Sequence, residues 1–209
     1  MAHRPRSAPG PLASPALRRL LITGGLVNAA LAATEVALTG YAREHHALWA
    51  SGPLLAGVSA GSIVGSLLLG ARGAPAGETG RRLPRLLACY AVGLAALTAA
   101  SLYPPLLAVA APLAGLCLGP SLATLFNLAS GASGASGASG ETAGTVSGGG
   151  TEAQGWLNSV MNGGAAAGAA LAGAAASQPV LALALSAALA AGAAASSARR
   201  LTSRSGAGR

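Results

Sequence analysis

Long uncharged, mostly apolar runs alternate with short charged clusters along this chain. Three stretches contain no Arg, Lys, Asp or Glu: residues 45–71, 86–140 and 153–198. Placing one charge in a bilayer core costs roughly 2.5–3.5 kcal/mol, so uncharged runs of this length are typical of membrane-spanning segments. A spanning helix needs about 20 residues, because the core is about 30 Å thick and each residue advances about 1.5 Å. The pattern predicts an all-α membrane protein that crosses the bilayer several times.

Six segments have the required length. The longest uncharged run must contain two of them, divided at Tyr103-Pro104-Pro105, because paired prolines break a helix. Pro179 favours a helix start, where its missing N–H costs nothing. The predicted spans cover residues 20–41, 47–70, 86–103, 105–129, 153–176 and 179–198.

The segments outside the spans have a different composition. Residues 1–17 are rich in Pro, Ala, Ser and Arg and are predicted to form a disordered arm. The six-span domain occupies residues 18–200, and residues 201–209 form a tail. Within the domain, residues 130–152 include the repeat SGASGASGASG, which is typical of a flexible linker.

The arginines predict the orientation of the spans. Twelve of the thirteen lie before the first span, between the second and third, or near the end of the chain, whereas Arg43 follows the first span alone. An even number of spans puts both termini on the arginine-rich side, which is the cytoplasmic side. The loop 130–152 is also predicted to be cytoplasmic, although it carries Glu141 and no arginine.

A cleaved signal peptide is the alternative interpretation of the N-terminal region. Arg18-Arg19, the apolar residues that follow and Ala30-Leu31-Ala32 imitate its three-part pattern. Cleavage would leave five spans and would put the two later arginine clusters on opposite sides. The six-span interpretation is therefore favoured.

The composition excludes several classes of protein. Hydrophobic residues make up 52% and charged residues 9%, whereas a soluble domain has about 25% charged residues. The net charge of +8 does not indicate a nucleic-acid partner, because the arginines flank apolar runs and only two Trp, three Tyr and one Phe are present. Lysine is absent while Ala, Gly, Pro and Arg are abundant, which suggests a GC-rich bacterium and hence a bacterial plasma membrane.

Small residues at four-residue spacing predict close helix packing. The second span contains Gly57, Gly61 and Gly65, and the fifth contains Gly164 and Gly168. Such stripes let two helix backbones approach closely. The fifth span has few large apolar residues, so we expect neighbouring helices to surround it.

Polar residues inside the spans are the candidates for function. Asn28 and Glu35 share a face of the first span, and Asn158 and Asn162 share a face of the fifth. Glu35 lies sixteen residues past Arg19, about 24 Å along the helix. An intramembrane carboxylate is a candidate proton carrier or cation-binding group. The alternative is a hydrated carboxylate near the interface, or one paired with Arg43.

The sequence contains no arrangement typical of an enzyme. Aspartate is absent, which excludes a Ser–His–Asp triad, and neither metal-ligand spacing nor a phosphate-binding loop is present. We therefore expect no enzymatic activity, no cofactor and no metal. Cys89 and Cys117 lie in apolar runs and are interpreted as small buried hydrophobic residues.

Three stretches resemble the C-terminal half of a bacterial major facilitator superfamily transporter. EVALTGYAREHHALWASGPLLAGVSAGSIVGSLLLGAR resembles the end of the family's seventh helix, the following external loop and a Gly/Ser-rich eighth helix that stops at Gly-Ala-Arg. GLCLGPSLATLFNLAS resembles the tenth helix, and TEAQGWLNSVMNGGAAAGAALAGA resembles the eleventh. Their order and spacing match over roughly residues 16–200.

The resemblance implies secondary transport of a small solute or drug, expected to be proton-coupled. It implies that the first, second, fourth and fifth spans line a cavity, with these candidate residues: Asn28, Glu35, Asn127, Asn158 and Asn162. The family has twelve spans in two halves that rock against each other. A chain with six spans therefore needs a homodimer or a separately encoded N-terminal half. The alternative is a truncated remnant or a membrane interaction protein without transport.

Overall fold

The computed structural model describes residues 15–71, 79–137 and 148–205, and within these ranges the chain is helical with no strand. This confirms the all-α prediction. A short 3₁₀ turn covers Leu48–Ala50. The α-helices are α1 (Pro15–Glu44), α2 (Ser51–Ala71), α3 (Thr79–Ala100), α4 (Pro104–Gly115), α5 (Leu118–Gly137), α6 (Gly148–Ala174) and α7 (Pro179–Ser205).

The fourth predicted span is a broken helix rather than a continuous one. Helices α4 and α5 are separated by a turn at Leu116-Cys117. Pro120 explains the position of the break, because a proline cannot donate to the carbonyl four residues earlier and its ring clashes with that carbonyl. The carbonyl concerned is that of Leu116, which faces Gly65 of α2. The break therefore puts the Leu116 carbonyl, to which Pro120 cannot donate, against a neighbouring helix.

Most of the helices are longer than the predicted spans. Helix α5 continues through Gly137 and α6 begins at Gly148, so both enter the segment that was predicted to be a flexible loop. Glycine is a poor helix former, but extending a helix that already exists avoids the cost of nucleation. Helices α1 and α7 likewise enter the predicted arm and tail. The rest of these predictions, on residues 1–14, 138–147 and 206–209, lies outside the described residues.

Five segments of the described chain are long and apolar enough to cross a membrane: Pro15–Glu44, Leu48–Ala71, Arg81–Ala100, Pro104–Gly131 and Pro179–Ala198. They match five of the six predicted spans. The remaining prediction, residues 153–176, falls on α6, which is 27 residues long but is not among the segments apolar enough. Its glycines and amides lower its hydropathy.

Contacts between the helices show the direction in which each one runs. The hydroxyls of Thr23 and Ser196 are 2.9 Å apart, and Gly40 lies beside Pro179. Helix α7 is therefore antiparallel to α1, and it ends where α1 begins. Its last turns, the start of α1 and the start of α3 carry most arginines of the described chain, whereas Arg43 lies at the opposite end of α1.

Glycines allow the backbones of α1 and α6 to approach closely where the two helices cross. A methyl group added at Gly164 would overlap the main chain of Gly25, and one added at Gly168 would overlap that of Ala29. Because Gly164 faces Gly25 and Gly168 faces Ala29, the two helices run parallel. The backbones approach so closely at these two positions that only glycine fits on the α6 side.

Helix α2 makes an equivalent crossing with α4 and α5. A methyl group at Gly61 would overlap the carbonyl of Pro112, and one at Gly65 would overlap that of Leu116. Gly115 is equally close to the carbonyl of Val58. Gly57 has more room, since a methyl group there would lie 3.3 Å from Pro112 Cδ. This pair of helices also runs parallel.

The packing pattern repeats within the chain. Let the helical segments α1, α2, α3, α4–α5, α6 and α7 be numbered one to six. Exchanging segments one, two and three with segments four, five and six, respectively, largely reproduces the contacts. The pair α1–α6 maps onto α2–α4/α5, the pair α1–α7 maps onto α3–α4/α5, and α3–α7 maps onto itself. The contact of α6 with α7 is the exception in the described chain. Successive segments alternate in direction and equivalent segments are three positions apart, so the second repeat is inverted relative to the first.

Candidate functional site: uncovered polar residues

Asn28 connects two helices of the bundle. Its side chain is half-buried, and its amide Nδ2 donates a hydrogen bond of 2.9 Å to the carbonyl of Met161 in α6. On α1, Asn28 lies between Gly25 and Ala29, which contact Gly164 and Gly168 of α6. Asn28, predicted as a binding residue, therefore has a visible role in fixing the α1–α6 crossing.

Glu35 and Thr39 lie on a strip of α1 that the bundle leaves uncovered. Between Leu20 and Ala42, the exposed residues of this otherwise central helix are Ile22, Glu35 and Thr39. The Thr39 hydroxyl donates to the main-chain carbonyl of Glu35 at 2.8 Å, so the Glu35 carboxylate is not its partner. Arg43 lies eight residues beyond Glu35, about 12 Å along the helix, which is too far for a direct ion pair.

Glu35 borders a buried polar contact. Its neighbour Thr34 is buried, and the Thr34 hydroxyl donates to the carbonyl of Ala30 at 2.8 Å. The phenol of Tyr90 in α3, which is also buried, lies beside Thr34. Protein packing therefore holds α1 firmly behind Glu35, while the carboxylate itself faces outward.

Helix α6 exposes a wide face made of small and polar residues. Asn158 and Asn162 are both exposed, and a methyl group at Gly155 or Gly163 would meet no atom within 4 Å. The narrow opposite face packs against α1. The expectation that neighbouring helices surround this segment is therefore not met by the described part of this chain.

Asn127 is exposed on α5, and α5 contacts both α1 and α6. Four of the five candidates, namely Glu35, Asn127, Asn158 and Asn162, thus lie on three helices that contact one another, and all four are uncovered. The two helices α5 and α6 are also joined by the Gln154 amide, which donates to the Ser130 hydroxyl at 2.7 Å. We call these four side chains the uncovered polar residues.

These residues are poorly suited to lipid. A carboxylate or amide that faces hydrocarbon loses the hydrogen bonds that water provided, and polar groups inside spans accordingly face other helices or a water-filled cavity. The large apolar side chains needed for lipid contact are exposed on other parts of the bundle, for example Ile63, Leu67 and Val92. The arrangement fits a surface that another protein segment or a water-filled cavity covers.

A pair of cysteines was not foreseen from the sequence. Cys89 of α3 is exposed, which corrects its interpretation as a buried residue, and Cys117 at the α4–α5 break is partly buried. One turn after Cys89, a methyl group at Gly93 would lie 2.9 Å from the Cα of Ala114, so α3 and α4 are in close contact there. The two thiols are neighbours. No sequence signal could pair them, because they lie on different helices.

The cysteine pair provides a direct test of the α3–α4 register. Oxidation by copper phenanthroline should join Cys89 to Cys117 within one chain, and mass spectrometry of the peptides would identify the link. The Cys89→Ser variant should form no such link. Two thiols that remain freely alkylated after oxidation, or cross-links found only between chains, would contradict this register.

The described residues contain no group of three or more His, Cys, Asp or Glu side chains that could hold a metal ion. A search of protein-family models, of curated proteins and of solved structures finds no match to this chain.

Proposed function

We propose that this chain is one half of a secondary transporter similar to the major facilitator superfamily. It carries a small solute or drug across the bacterial plasma membrane in a proton-coupled process. It works as a homodimer or with a separately encoded six-span half. Both termini are cytoplasmic, and α6 serves as the fifth of six spans.

The inverted repeat in the packing is the observation that carries this proposal. Each half of a major facilitator transporter is built from two inverted three-span repeats. In this chain the α1–α6 crossing and its equivalent, α2 with α4–α5, are both parallel and both mediated by glycine. An arbitrary bundle of apolar helices has no reason to place such crossings at equivalent positions.

The charged and aromatic residues support the orientation. Arg18 and Arg19 at the start of α1 lie at the same end of the bundle as the last turns of α7. Trp49 and Tyr103 are exposed at the other end, and Trp156 is exposed in the third turn of α6. Tryptophan and tyrosine concentrate at the two membrane interfaces, while arginine concentrates on the cytoplasmic side.

The uncovered polar residues support the need for a second half. Alternating access rocks one half against the other around a site near the membrane midplane. A partner that covers the exposed face of α6 would enclose Asn127, Asn158 and Asn162 in a polar cavity between the halves. Glu35 lies beyond the Ala29–Gly168 contact, more than two turns farther toward the Arg43 end than Asn162. Glu35 would be the proton-carrying group, and the three amides would bind the solute.

The proposal is tested in proteoliposomes that contain a pH-sensitive dye. Vesicles with the assembled homodimer, or with this chain and a separately encoded half, are given an imposed pH gradient and a panel of sugars, amino acids and lipophilic cations. We expect at least one solute to dissipate the gradient in a saturable manner. Vesicles that contain only monomer, as measured by native mass spectrometry, should not respond.

The opposite outcome distinguishes the alternative function. A chain that assembles with neither a second copy nor a separately encoded half, or that assembles and leaves the gradient intact with every solute, is a truncated remnant or a membrane interaction protein. In that case Glu35 and the three amides serve contacts with another protein.

A further inference from the structure

A cleft of about 310 Å³ opens at the end of the bundle that carries Arg43. It lies between the end of α1, the connection to α2, and the first turns of α2 and α4. Its principal lining side chains are Tyr41, His45, Trp49, Leu54, Pro104 and Leu107. The cleft is separate from the uncovered polar residues, none of which lines it.

The inner wall of the cleft is held by the packed bundle. Tyr41 is only 5% exposed, and its hydroxyl donates a hydrogen bond of 2.8 Å to the carbonyl of Ser101 between α3 and α4. Leu107 of α4 is fully buried behind it. Because these side chains have no room to rearrange, this wall is formed before any ligand arrives.

The outer wall depends on an unusual turn. After α1, the N–H of Ala47 donates to the carbonyl of Ala42 at 2.8 Å, and that of His46 donates to Arg43 at 3.1 Å. His46 occupies the left-handed region with φ 53°, a position where this type of helix end normally has glycine. The turn places the His45 ring 4.3 Å from the Tyr41 ring, and it leads directly to Trp49.

The lining defines the chemistry of a ligand. The walls are mostly apolar, and the lining residues include no Arg, Asp or Glu, so nothing there would neutralise a charged group. The Tyr41 hydroxyl already has its acceptor, whereas the His45 imidazole can donate or accept a hydrogen bond. The volume is at the lower end of the range for small-molecule sites, about 300–1,000 Å³.

The position of the cleft indicates where such a ligand would come from. Trp49 is 79% exposed and Tyr103 is 65% exposed at this end. Exposed aromatic side chains of this kind are typical of the membrane–water interface. Single-chain amphiphiles concentrate at that depth, with an apolar tail in the bilayer and a head group at the surface.

We propose that this cleft binds an uncharged single-chain amphiphile, with the apolar chain against Leu54, Pro104 and Leu107 and the head group hydrogen-bonded to His45. The binding does not depend on transport, because it uses neither the uncovered polar residues nor a second half.

Photo-labelling of the full chain in liposomes tests this site. The probe is dodecanol that carries a diazirine in its chain, and labelled peptides are mapped by mass spectrometry. We expect saturable labelling of the segments around Trp49–Leu54 and Pro104–Ala108, which excess unlabelled dodecanol removes. Labelling that does not saturate, or that spreads equally over exposed apolar residues such as Leu67 and Val92, would overturn the proposal.

Matched variants separate the cleft from the surrounding lipid surface. Ala108→Phe fills the cleft and should remove the saturable labelling, whereas Val109→Phe adds similar bulk to the adjacent exposed residue and should not. His45→Ala leaves the packed helices intact. It should raise the probe concentration that gives half-maximal labelling by about two- to tenfold, the effect of losing one neutral hydrogen bond. If folded His45→Ala and Ala108→Phe proteins both label like the wild type, the cleft is not the binding site.

Discussion

Gly168→Ala is expected to reduce the free energy of unfolding in detergent by about 1–3 kcal/mol, the usual effect of forcing an extra carbon atom into a packed core. The new methyl group would overlap the main chain of Ala29, which is backbone and cannot rotate away. Relief requires α1 and α6 to separate. Separation would also strain the hydrogen bond from Asn28 to Met161.

The same substitution five residues earlier is the control. A methyl group at Gly163 would meet no atom within 4 Å, so Gly163→Ala adds helix propensity without a clash. It should be neutral or stabilising by up to about 1 kcal/mol. Titration with a denaturing detergent, monitored by the helical circular dichroism signal, measures the free energy of unfolding of both variants. Equal effects of the two substitutions would mean that α1 and α6 do not cross at this point.

Replacing Glu35 with glutamine is expected to abolish the pH-driven flux in the proteoliposomes of the proposed function. Glutamine has nearly the same shape as glutamate but cannot take up and release a proton. Binding of solute should persist, since the three amides are unchanged. The flux driven by the pH gradient should fall to that of protein-free vesicles, while exchange of solute at equal pH on both sides continues.

Glu44→Gln is the matched control for this experiment, because it removes the same charge at the exposed end of the same helix. Its flux should equal that of the wild type. If Glu35→Gln and the wild type transport alike in an active preparation, Glu35 is not the proton carrier. The rest of the half-transporter proposal would then have to rely on another coupling group or on uncoupled transport.

The apolar runs predicted most of the helices because each bilayer crossing imposes its own length and composition on a local segment. Five of the six predicted spans correspond to helices long and apolar enough to cross. The break at Leu116-Cys117 was missed, although Pro120 was visible as a signal. Within the long uncharged run, a helix break was predicted only at Pro104 and Pro105. The loop 130–152 was drawn too long, since composition does not show how far a helix extends once it has formed.

The candidate site was only partly predictable. Glu35 stood out because a carboxylate within an apolar run is costly wherever the run folds, and Asn158 and Asn162 stood out through their shared face. The hydrogen bond of Asn28 to Met161 could not be read from the chain, because it joins residues on different helices. The cleft beside Tyr41 could not be predicted for the same reason, because its walls come from different helices.

The sequence by itself determined which segments can cross a membrane, where the charges lie and which positions carry small residues. These properties belong to single segments and follow from the cost of placing charge in hydrocarbon. Only the tertiary structure decided which glycine stripe meets which backbone, and hence the inverted repeat of the packing. It also decided that one face of α6 packs against α1 while the other face remains uncovered. Gly163 and Gly168 look alike in the chain, and they differ because packing depends on which backbone another helix brings to each position.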